Sequence, residues 1–183
     1  SARKAEYVFL ANINPELQER VLDMVESPRF TALDTMECYI REKPDALKKV
    51  LRRIDLLFIN DSEAMILTGL ANTIAAAEAL LNLGPKYVIV KKGEHGSILA
   101  SRDGIFVTPA FPLASVTDPT GAGDSYAGGV MGRLAEHGGI GFDDLRDAVV
   151  YGGIVASFSV EGFSLDRLRT VTRGDIDERL ERF

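Results

Sequence analysis

The residues DLLFINDSEAMILTG, at 55–69, change from an apolar run to a helical stretch without a connector. The run 55–60 is typical of a buried strand, because it is short, apolar in its interior and bounded by polar residues. The stretch 61–69 is typical of a helix, and Gly69 suits a helix end. These residues therefore predict one βα unit.

The same strand-then-helix order recurs on both sides of this unit. Strands are predicted over 6–12, 30–36 and 86–93, and helices over 15–25, 44–54 and 73–84. Alternation of this kind with short connectors favours a mostly parallel sheet flanked by helices. We therefore expect an α/β fold and a single domain over residues 1–183.

The pattern changes after the last of these strands. The runs GSILAS (96–101) and GIFVTPA (104–110) are separated by a turn at Asp103-Gly104, which predicts a hairpin. A loop with three prolines follows and leads to helical patterns. The predicted helices of this part cover 124–137, 143–160 and 173–183.

Composition and charge argue against several classes of protein. Of the 183 residues, 46% are hydrophobic and 26% are charged, as in a globular domain. The formal net charge of −6 is spread without a long block of one sign, which argues against nucleic-acid and membrane-surface partners. The single cysteine, Cys38, permits no intrachain disulfide, and no apolar run reaches the roughly 18–20 residues of a membrane span. We expect a soluble, cytoplasmic protein.

Residues 118–129, DPTGAGDSYAGG, place Gly121, Ala122 and Gly123 directly before Asp124. At a helix start, such a loop points unpaired backbone N–H groups and the positive end of the helix dipole at one spot, which suits a phosphate. Asp124 would repel that phosphate, so we interpret it as a base that accepts a proton from an incoming hydroxyl. Spacing alone leaves a second interpretation open, in which the glycines form a tight turn and Asp124 caps the helix.

Two weaker patterns lie upstream. Asn60 and Glu63 follow an apolar strand, where open parallel sheets bind ligands, and Mg²⁺ commonly takes one or two carboxylates. A helix N-terminus explains this pair equally well. Taken alone, Gly93 and Gly96 favour a simple hairpin turn.

Residues 118–131, DPTGAGDSYAGGVM, resemble the C-terminal signature of the PfkB or ribokinase-like carbohydrate kinases, whose pattern centres on D-[TP]-T-[GA]-A-G-D. The resemblance implies that Asp124 is the catalytic base for the acceptor hydroxyl and that Gly121–Gly123 form the anion hole. It also implies that Asp118 and Thr120 help to hold a monovalent cation, potassium in ribokinase-like members.

Other segments resemble further motifs of this family. NDSE (60–63) resembles the N-x-x-E motif, which implies that Glu63 acts on magnesium through water. VIVKKGEHG (88–96) resembles the strand and loop that lie along the nucleotide, and VEGF (160–163) the loop near the cation and adenine. The nucleotide-binding residues thereby implied are Asn60, Lys91, Gly93, Gly96, Thr120 and Gly162. Asp34 lies at a strand end where the family often has substrate contacts, and it fits a cap or a turn equally well.

The resemblance implies an ATP-dependent transfer of phosphate to a sugar hydroxyl, with ATP and Mg²⁺ as cofactors and a sugar or nucleoside as substrate. It covers essentially the whole chain but corresponds to the C-terminal part of the family. We therefore expect an incomplete ribokinase-like fold, without the family's Gly-Gly motif and small β lid, whose exposed sheet edge a homodimer could cover. The alternatives are a noncatalytic nucleotide-binding or oligomerising module and a nucleoside kinase of the same family.

Overall fold

The computed structural model describes residues 2–183, and these contain six strands and eight α-helices. The strands are β1 (Tyr7–Leu10), β2 (Phe30–Asp34), β3 (Leu56–Asn60), β4 (Tyr87–Lys91), β5 (Ser97–Ser101) and β6 (Ile105–Thr108). The helices are α1 (Pro15–Met24), α2 (Glu37–Glu42), α3 (Pro44–Leu51), α4 (Asp61–Thr68), α5 (Thr73–Leu81), α6 (Ala122–His137), α7 (Phe142–Ser159) and α8 (Arg173–Glu181). Up to β4, this order is the predicted βα alternation.

The strands form one sheet in the order β1-β2-β3-β4-β5-β6, and β1 to β4 pair in parallel. The connections to β5 and β6 are only residues 92–96 and 102–104. A parallel crossover needs about a dozen residues, so these last strands run antiparallel to their neighbours. In the β5–β6 turn the N–H of Ser101 donates to the carbonyl of Gly104 at 2.9 Å. The predicted hairpin and the mostly parallel α/β sheet are thus confirmed.

Apolar side chains on adjacent parallel strands pack against the helices that connect them. One cross-strand row consists of Leu10, Leu33, Leu57 and Val88. This row shares a hydrophobic cluster with Leu47 of α3 and Leu80 of α5. All five residues of β2 are buried, as expected of a strand inside a parallel sheet. The buried row holds the strands in register, and the polar residues Asp34, Asn60 and Lys91 lie at the carboxyl ends of β2, β3 and β4.

The described chain divides into two compact units. The first runs to Lys92 and also includes Ile98–Phe106, so it contains most of the sheet and α1 to α5. The second comprises Gly93–Ser97 and Val107–Phe183 and contains α6 to α8. The single domain over 1–183 stays a prediction.

In the second unit, α6 and α7 approach closely because glycines lie at their contact. A Cβ built on Gly129 would lie 2.9 Å from the Cα of Gly152, and one built on Gly152 would lie 2.8 Å from the carbonyl oxygen of Tyr126. The hydroxyl of Tyr126 is hydrogen-bonded to that of Ser97 at 2.8 Å. The first turns of α6 are therefore fixed by backbone packing and by a buried hydrogen bond.

Some elements differ from those predicted. Helix α6 begins at Ala122, two residues before the predicted start, because Gly121 turns the chain into the helix. The helix predicted over 44–54 ends at Leu51. Helix α2 was not predicted. Its N-cap residue is Met36, a residue type that does not signal a helix start. Among the described residues, no side-chain hydrogen bond caps this helix.

Within residues 2–183, no single helix is both long enough and apolar enough to cross a membrane, although α4 and α5, bent by 62° at their junction, reach that length and apolarity as a pair.

Candidate functional site

The chain enters α6 through Gly121, whose φ of +79° is in the left-handed region that favours glycine. No side chain of the described residues caps this helix start, so the first-turn amides lack the partners that a cap would supply. One of them, the amide of Ala122, donates to the carbonyl of Pro119 at 3.2 Å. A Cβ built on Gly121 would meet no atom of residues 2–183 within 4 Å. The helix start therefore has uncapped N–H groups and open space in the Cβ direction of Gly121, and both features suit a phosphate site.

Asp124 is the third residue of α6, and it is exposed. The sequence left open that Asp124 caps the helix, but in the described chain no capping hydrogen bond joins it to the N-cap residue, Gly121. The positive end of the helix dipole favours an anionic carboxylate at this position. The start of α6 therefore presents an exposed carboxylate, and the role of Asp124 as a base stays a prediction.

Asp118 shapes the loop that precedes α6. Its Oδ1 accepts a hydrogen bond from the N–H of Thr120 at 2.9 Å, and its Oδ2 accepts one from the N–H of Ser164 at 3.5 Å. The bonds from Thr120, above all, hold the pKa of Asp118 below its usual value. An aspartate that accepts from the amide two residues later is typical of a stabilised turn. The loop therefore keeps an anionic group next to the helix start.

A cavity of about 520 Å³, which we call the α6 groove, lies beside α6 in the second unit. Its lining includes Ser125, Gly128, Gly132, Tyr151, Val155 and Leu168. A Cβ built on Gly128 or Gly132 would meet nothing in the described chain within 4 Å, so these glycines leave the groove open. Sequence reasoning did not find this groove, because glycines four residues apart on a helix are equally typical of close helix packing.

Charged residues line the part of the groove farther along α6. Arg173 donates two hydrogen bonds of 2.9 Å to Glu136, and the Nε of Arg133 lies 2.6 Å from a carboxylate oxygen of Asp147. Both guanidinium groups lie over the ring of Tyr151, 5.0 and 5.7 Å from its centroid, within the range of cation–π attraction. The aromatic wall of the groove is thus fixed by two paired arginines.

In the first unit, Asn60 ends β3 and caps α4. Its side-chain oxygen accepts from the N–H of Glu63 at 2.7 Å, and its own N–H donates to Oε2 of Glu63 at 3.0 Å, which makes a reciprocal capping box. Glu63 is 8% exposed. Burial raises the pKa of its carboxyl, while the N–H of Asn60 and the charge of Lys91 act in the opposite direction. Asn60 and Glu63 therefore form a helix start, which is one of the two interpretations that the sequence left open.

Lys91, at the end of β4, forms an ion pair with Asp34, at the end of β2. The Oδ1 of Asp34 also accepts from the N–H of Thr35 at 2.9 Å. Buried carboxylates need partners of this kind. Lys91 is 57 residues from Asp34 in the sequence, so no local pattern could indicate the pair. The nucleotide-binding role of Lys91 stays a prediction.

The remaining predicted glycines of the second unit, Gly93, Gly96 and Gly162, are required by backbone conformation, by close packing or by both. Gly93 and Gly96 have φ values of +56° and +85°. A Cβ built on Gly96 would collide with the carbonyl oxygen of Thr108, and one built on Gly162 would lie 3.0 Å from the Cβ of Arg167. Backbone conformation and close packing explain these glycines without a ligand. Their nucleotide-binding roles therefore stay predictions.

Acidic side chains do not form a multi-ligand metal site here. No group of three or more His, Cys, Asp or Glu side chains that could hold a metal ion occurs within residues 2–183. Mg²⁺ usually keeps several waters and takes only one or two carboxylates. The Glu63 carboxylate accepts a hydrogen bond from the N–H of Asn60, and its role toward magnesium stays a prediction.

Comparison with known proteins agrees with the predicted family. The model of the pfkB family of carbohydrate kinases matches residues 2–168. The chain is 33% identical to a cytidine kinase of Thermococcus kodakarensis over 133 residues, 69% of this chain and 47% of that protein. It is 26% identical to a nucleoside kinase of Methanocaldococcus jannaschii over 182 residues, 97% of this chain and 56% of that protein. The chain thus spans about half the length of these relatives.

Solved structures share the fold. A structure of the M. jannaschii nucleoside kinase matches with a TM-score of 0.78 over 97% of this chain and 56% of that one, at 26% identity. A structure of Arabidopsis thaliana ribokinase complexed with ribose and ATP matches with a TM-score of 0.79 over 98% of this chain and 57% of that one, at 25% identity. The expected ribokinase-like fold is confirmed. Since the family model matches most of its length, the chain belongs to the pfkB family of carbohydrate kinases.

Proposed function

We propose that this chain supplies the ATP-binding part of a kinase that transfers the γ-phosphate of ATP to a hydroxyl of a sugar or nucleoside. The observation that carries the proposal is the start of α6, where uncapped N–H groups and the exposed Asp124 occur together beside open space. A site that only bound phosphate would gain nothing from a carboxylate there, because like charges repel. A base for the acceptor hydroxyl accounts for both features.

The first-turn amides would stabilise the transferring phosphoryl group. In phosphoryl transfer, negative charge is spread over the equatorial oxygens of that group. Fixed N–H donors stabilise such charge without having to reorganise during the reaction. Gly121 and Gly123 let the oxygens approach the backbone, because a Cβ would hold them away. Asp118 would maintain this loop through its hydrogen bond to Thr120.

Asp124 would accept the proton of the acceptor hydroxyl. The hydroxyl oxygen forms a bond to the γ-phosphorus while the bond from that phosphorus to the bridging oxygen of ADP breaks. The proton passes to the carboxylate of Asp124, and ADP leaves with the electron pair of the broken bond. A positioned general base contributes about 10²- to 10⁴-fold to such a step.

The α6 groove would hold the nucleoside part of ATP. Its lining begins at Ser125, next to the proposed base, and continues past Gly128 and Gly132. An ATP molecule with its phosphates at the helix start would therefore extend along the groove. The volume of about 520 Å³ lies in the usual range for small-molecule sites. Support also comes from the A. thaliana ribokinase, whose solved structure contains ATP.

Two ions belong to the same proposal. When bound, Mg²⁺ neutralises charge on the donor phosphates. The resemblance of residues 60–63 to the family motif assigns a water-mediated hold on magnesium to Glu63 of the first unit, whose carboxylate Asn60 would keep oriented. Potassium would lie by Asp118 and Thr120, where the lowered pKa keeps a carboxylate anionic.

The acceptor class rests on the names of the relatives. The cytidine kinase, the nucleoside kinase and the ribokinase act on a nucleoside or a sugar, as their names say. A nucleoside acceptor is therefore as well supported as a sugar.

Calorimetric titration of the chain with ATP, in Mg²⁺ or in EDTA, tests the ATP site. We expect magnesium-dependent binding that Gly128→Val weakens, because the new side chain would project into the α6 groove. The matched control is Gly153→Val on α7: a Cβ there also meets no described atom within 4 Å, and the residue lies outside the groove lining. Absence of binding at millimolar ATP, or equal effects of the two variants, would contradict the proposed site.

A further inference from the structure

Arg179 of α8 is paired more extensively than its position on a polar helix predicts. None of the nine residues of α8, all of them described, is buried, but the Arg179 side chain is only 14% exposed. Its Nη2 donates to Glu161 at 2.7 Å and its Nη1 to the hydroxyl of Ser157 at 2.9 Å. Its guanidinium carbon lies 3.4 Å from the ring centroid of Phe158 and 5.0 Å from that of Phe111. Arg179 is therefore fixed on several sides.

The partner carboxylate, Glu161, joins this arginine to a turn. Its second oxygen accepts from the Nε of Arg167 at 3.3 Å, so each oxygen of Glu161 is paired with a different arginine. Gly162 permits the close approach of Arg167, because a Cβ there would be 3.0 Å from the Cβ of the arginine. The turn after α7 is thus tied to α8 through one half-buried carboxylate.

The same turn contacts the loop before α6. The carbonyl of Val160 accepts from the N–H of Thr117 at 2.8 Å, and the carbonyl of Glu161 accepts from the Thr117 hydroxyl at 3.0 Å. The N–H of Ser164 donates to Asp118. Ser164 has a φ of +54°, a conformation that a residue other than glycine keeps only when its surroundings hold it.

We propose that Arg179 is a positioning residue: through Glu161 it holds the 160–164 turn against Thr117 and Asp118, and it thereby sets the loop that leads into α6. Its effect on ATP rests on the proposed function, but its effect on the turn does not. Breaking the contact frees the turn while the core contacts of α6 and α7 stay in place. The affinity for ATP then falls although the fold is kept.

The test compares Arg179→Met and Glu161→Gln with the control Thr172→Ala. Thr172 is the N-cap of α8, so its loss loosens the helix without touching the Arg179 pair. Hydrogen exchange of the Thr117 and Ser164 amides is measured for each, together with the Kd for ATP and Mg²⁺. We expect exchange at both amides and the Kd to rise about tenfold in the first two variants, a typical coupling between linked sites, and to match the wild type in the control.

Each outcome decides one claim. Unchanged exchange at Thr117 and Ser164 in Arg179→Met would overturn the inference, and so would an equal rise in Thr172→Ala, which would mark a purely structural role. The double variant Arg179→Met/Glu161→Gln should exchange more slowly than the sum of the two single effects predicts, because both substitutions remove the shared Arg179–Glu161 contact. Faster exchange in a chain whose wild type does not bind ATP would sustain the inference and contradict the proposed function.

Discussion

The Nζ of Lys91 and the Oδ2 of Asp34 lie 2.6 Å apart, and their side chains are only 18% and 4% exposed. Removing one member of such a pair leaves a buried charge without its counter-ion. We expect Lys91→Met to lower the free energy of unfolding by about 3 kcal/mol, measured by urea denaturation at pH 7. Asp34→Leu/Lys91→Met should recover most of that loss, since both charges are then gone.

The control for this prediction is the ion pair between Arg41 and Glu37, whose side chains are 59% and 53% exposed. Arg41→Met should change the free energy of unfolding by at most about 0.5 kcal/mol, because water screens an exposed pair. Equal losses in Arg41→Met and Lys91→Met would contradict the buried-pair interpretation.

The two glycines that flank the short turn before β5 should respond differently to alanine. Gly93→Ala has space for its Cβ in the described chain. It should lower the free energy of unfolding by only about 1 kcal/mol, because alanine is strained in the left-handed backbone conformation. Gly96→Ala adds a collision with the carbonyl of Thr108 and should lower the free energy of unfolding by more than about 2 kcal/mol. Urea denaturation of both variants checks the order, and a reversed order would contradict it.

Neighbouring glycines of α6 should differ in the sign of their effect. Gly128→Ala places a methyl group in open space and should raise the free energy of unfolding by about 0.5–1 kcal/mol through higher helix propensity. The methyl group of Gly129→Ala would press against Gly152, and this variant should lower the free energy of unfolding by about 1–3 kcal/mol. Thermal unfolding monitored by circular dichroism distinguishes them; a stabilising Gly129→Ala would show that α6 and α7 separate easily.

The start of α8 predicts a pH dependence. Hydrogen bonds from the Thr172 hydroxyl and then the Thr172 N–H hold the pKa of Asp175 below its ordinary 3.8. Because the folded state then releases the proton more readily than the unfolded one, Asp175 stabilises the fold above pH 3.8, and that stabilisation disappears as the pH falls through the folded-state pKa.

Asp175→Asn should therefore lower Tm at pH 7, and its Tm should approach that of the wild type in acid. Thr172→Ala removes the same contacts and should show the same convergence. Melting curves recorded from neutral to acidic pH test this, and a difference in Tm that does not change with pH would contradict it.

Asp124 carries the sharpest prediction about catalysis. In a preparation that transfers phosphate from ATP, Asp124→Asn should lower kcat by about 10²- to 10⁴-fold, the usual contribution of a general base, while the Kd for ATP stays the same. Steady-state kinetics and calorimetry together measure both quantities. Equal loss of turnover and ATP affinity would indicate that Asp124 only supports the loop.

Local patterns explain which features could be predicted. The strands Leu56–Asn60 and Tyr87–Lys91 each contain a dense apolar run, and the motif at 118–124 is contiguous. The fold and the family therefore follow from the sequence alone. The roles of Asp124 and Glu63 stay predictions. Contacts such as Lys91 with Asp34 depend on which strand ends the topology brings together, and no periodicity within one element indicates them.

The α6 groove escaped prediction for a different reason. Gly128 and Gly129 are chemically identical neighbours, yet one faces empty space and the other a second helix. They differ only in the direction that a Cβ would take from each Cα, and what lies in that direction depends on how α6 and α7 cross.

The contact of Gly129 with Gly152 places the proposed donor site on main-chain packing that only glycines permit. The opening at Gly121 is formed by main chain, and the helix behind it is positioned by main chain. Such a platform can stay constant while residues elsewhere diverge toward other acceptors. An engineer who wishes to change the acceptor should therefore leave this helix pair untouched and vary residues outside it.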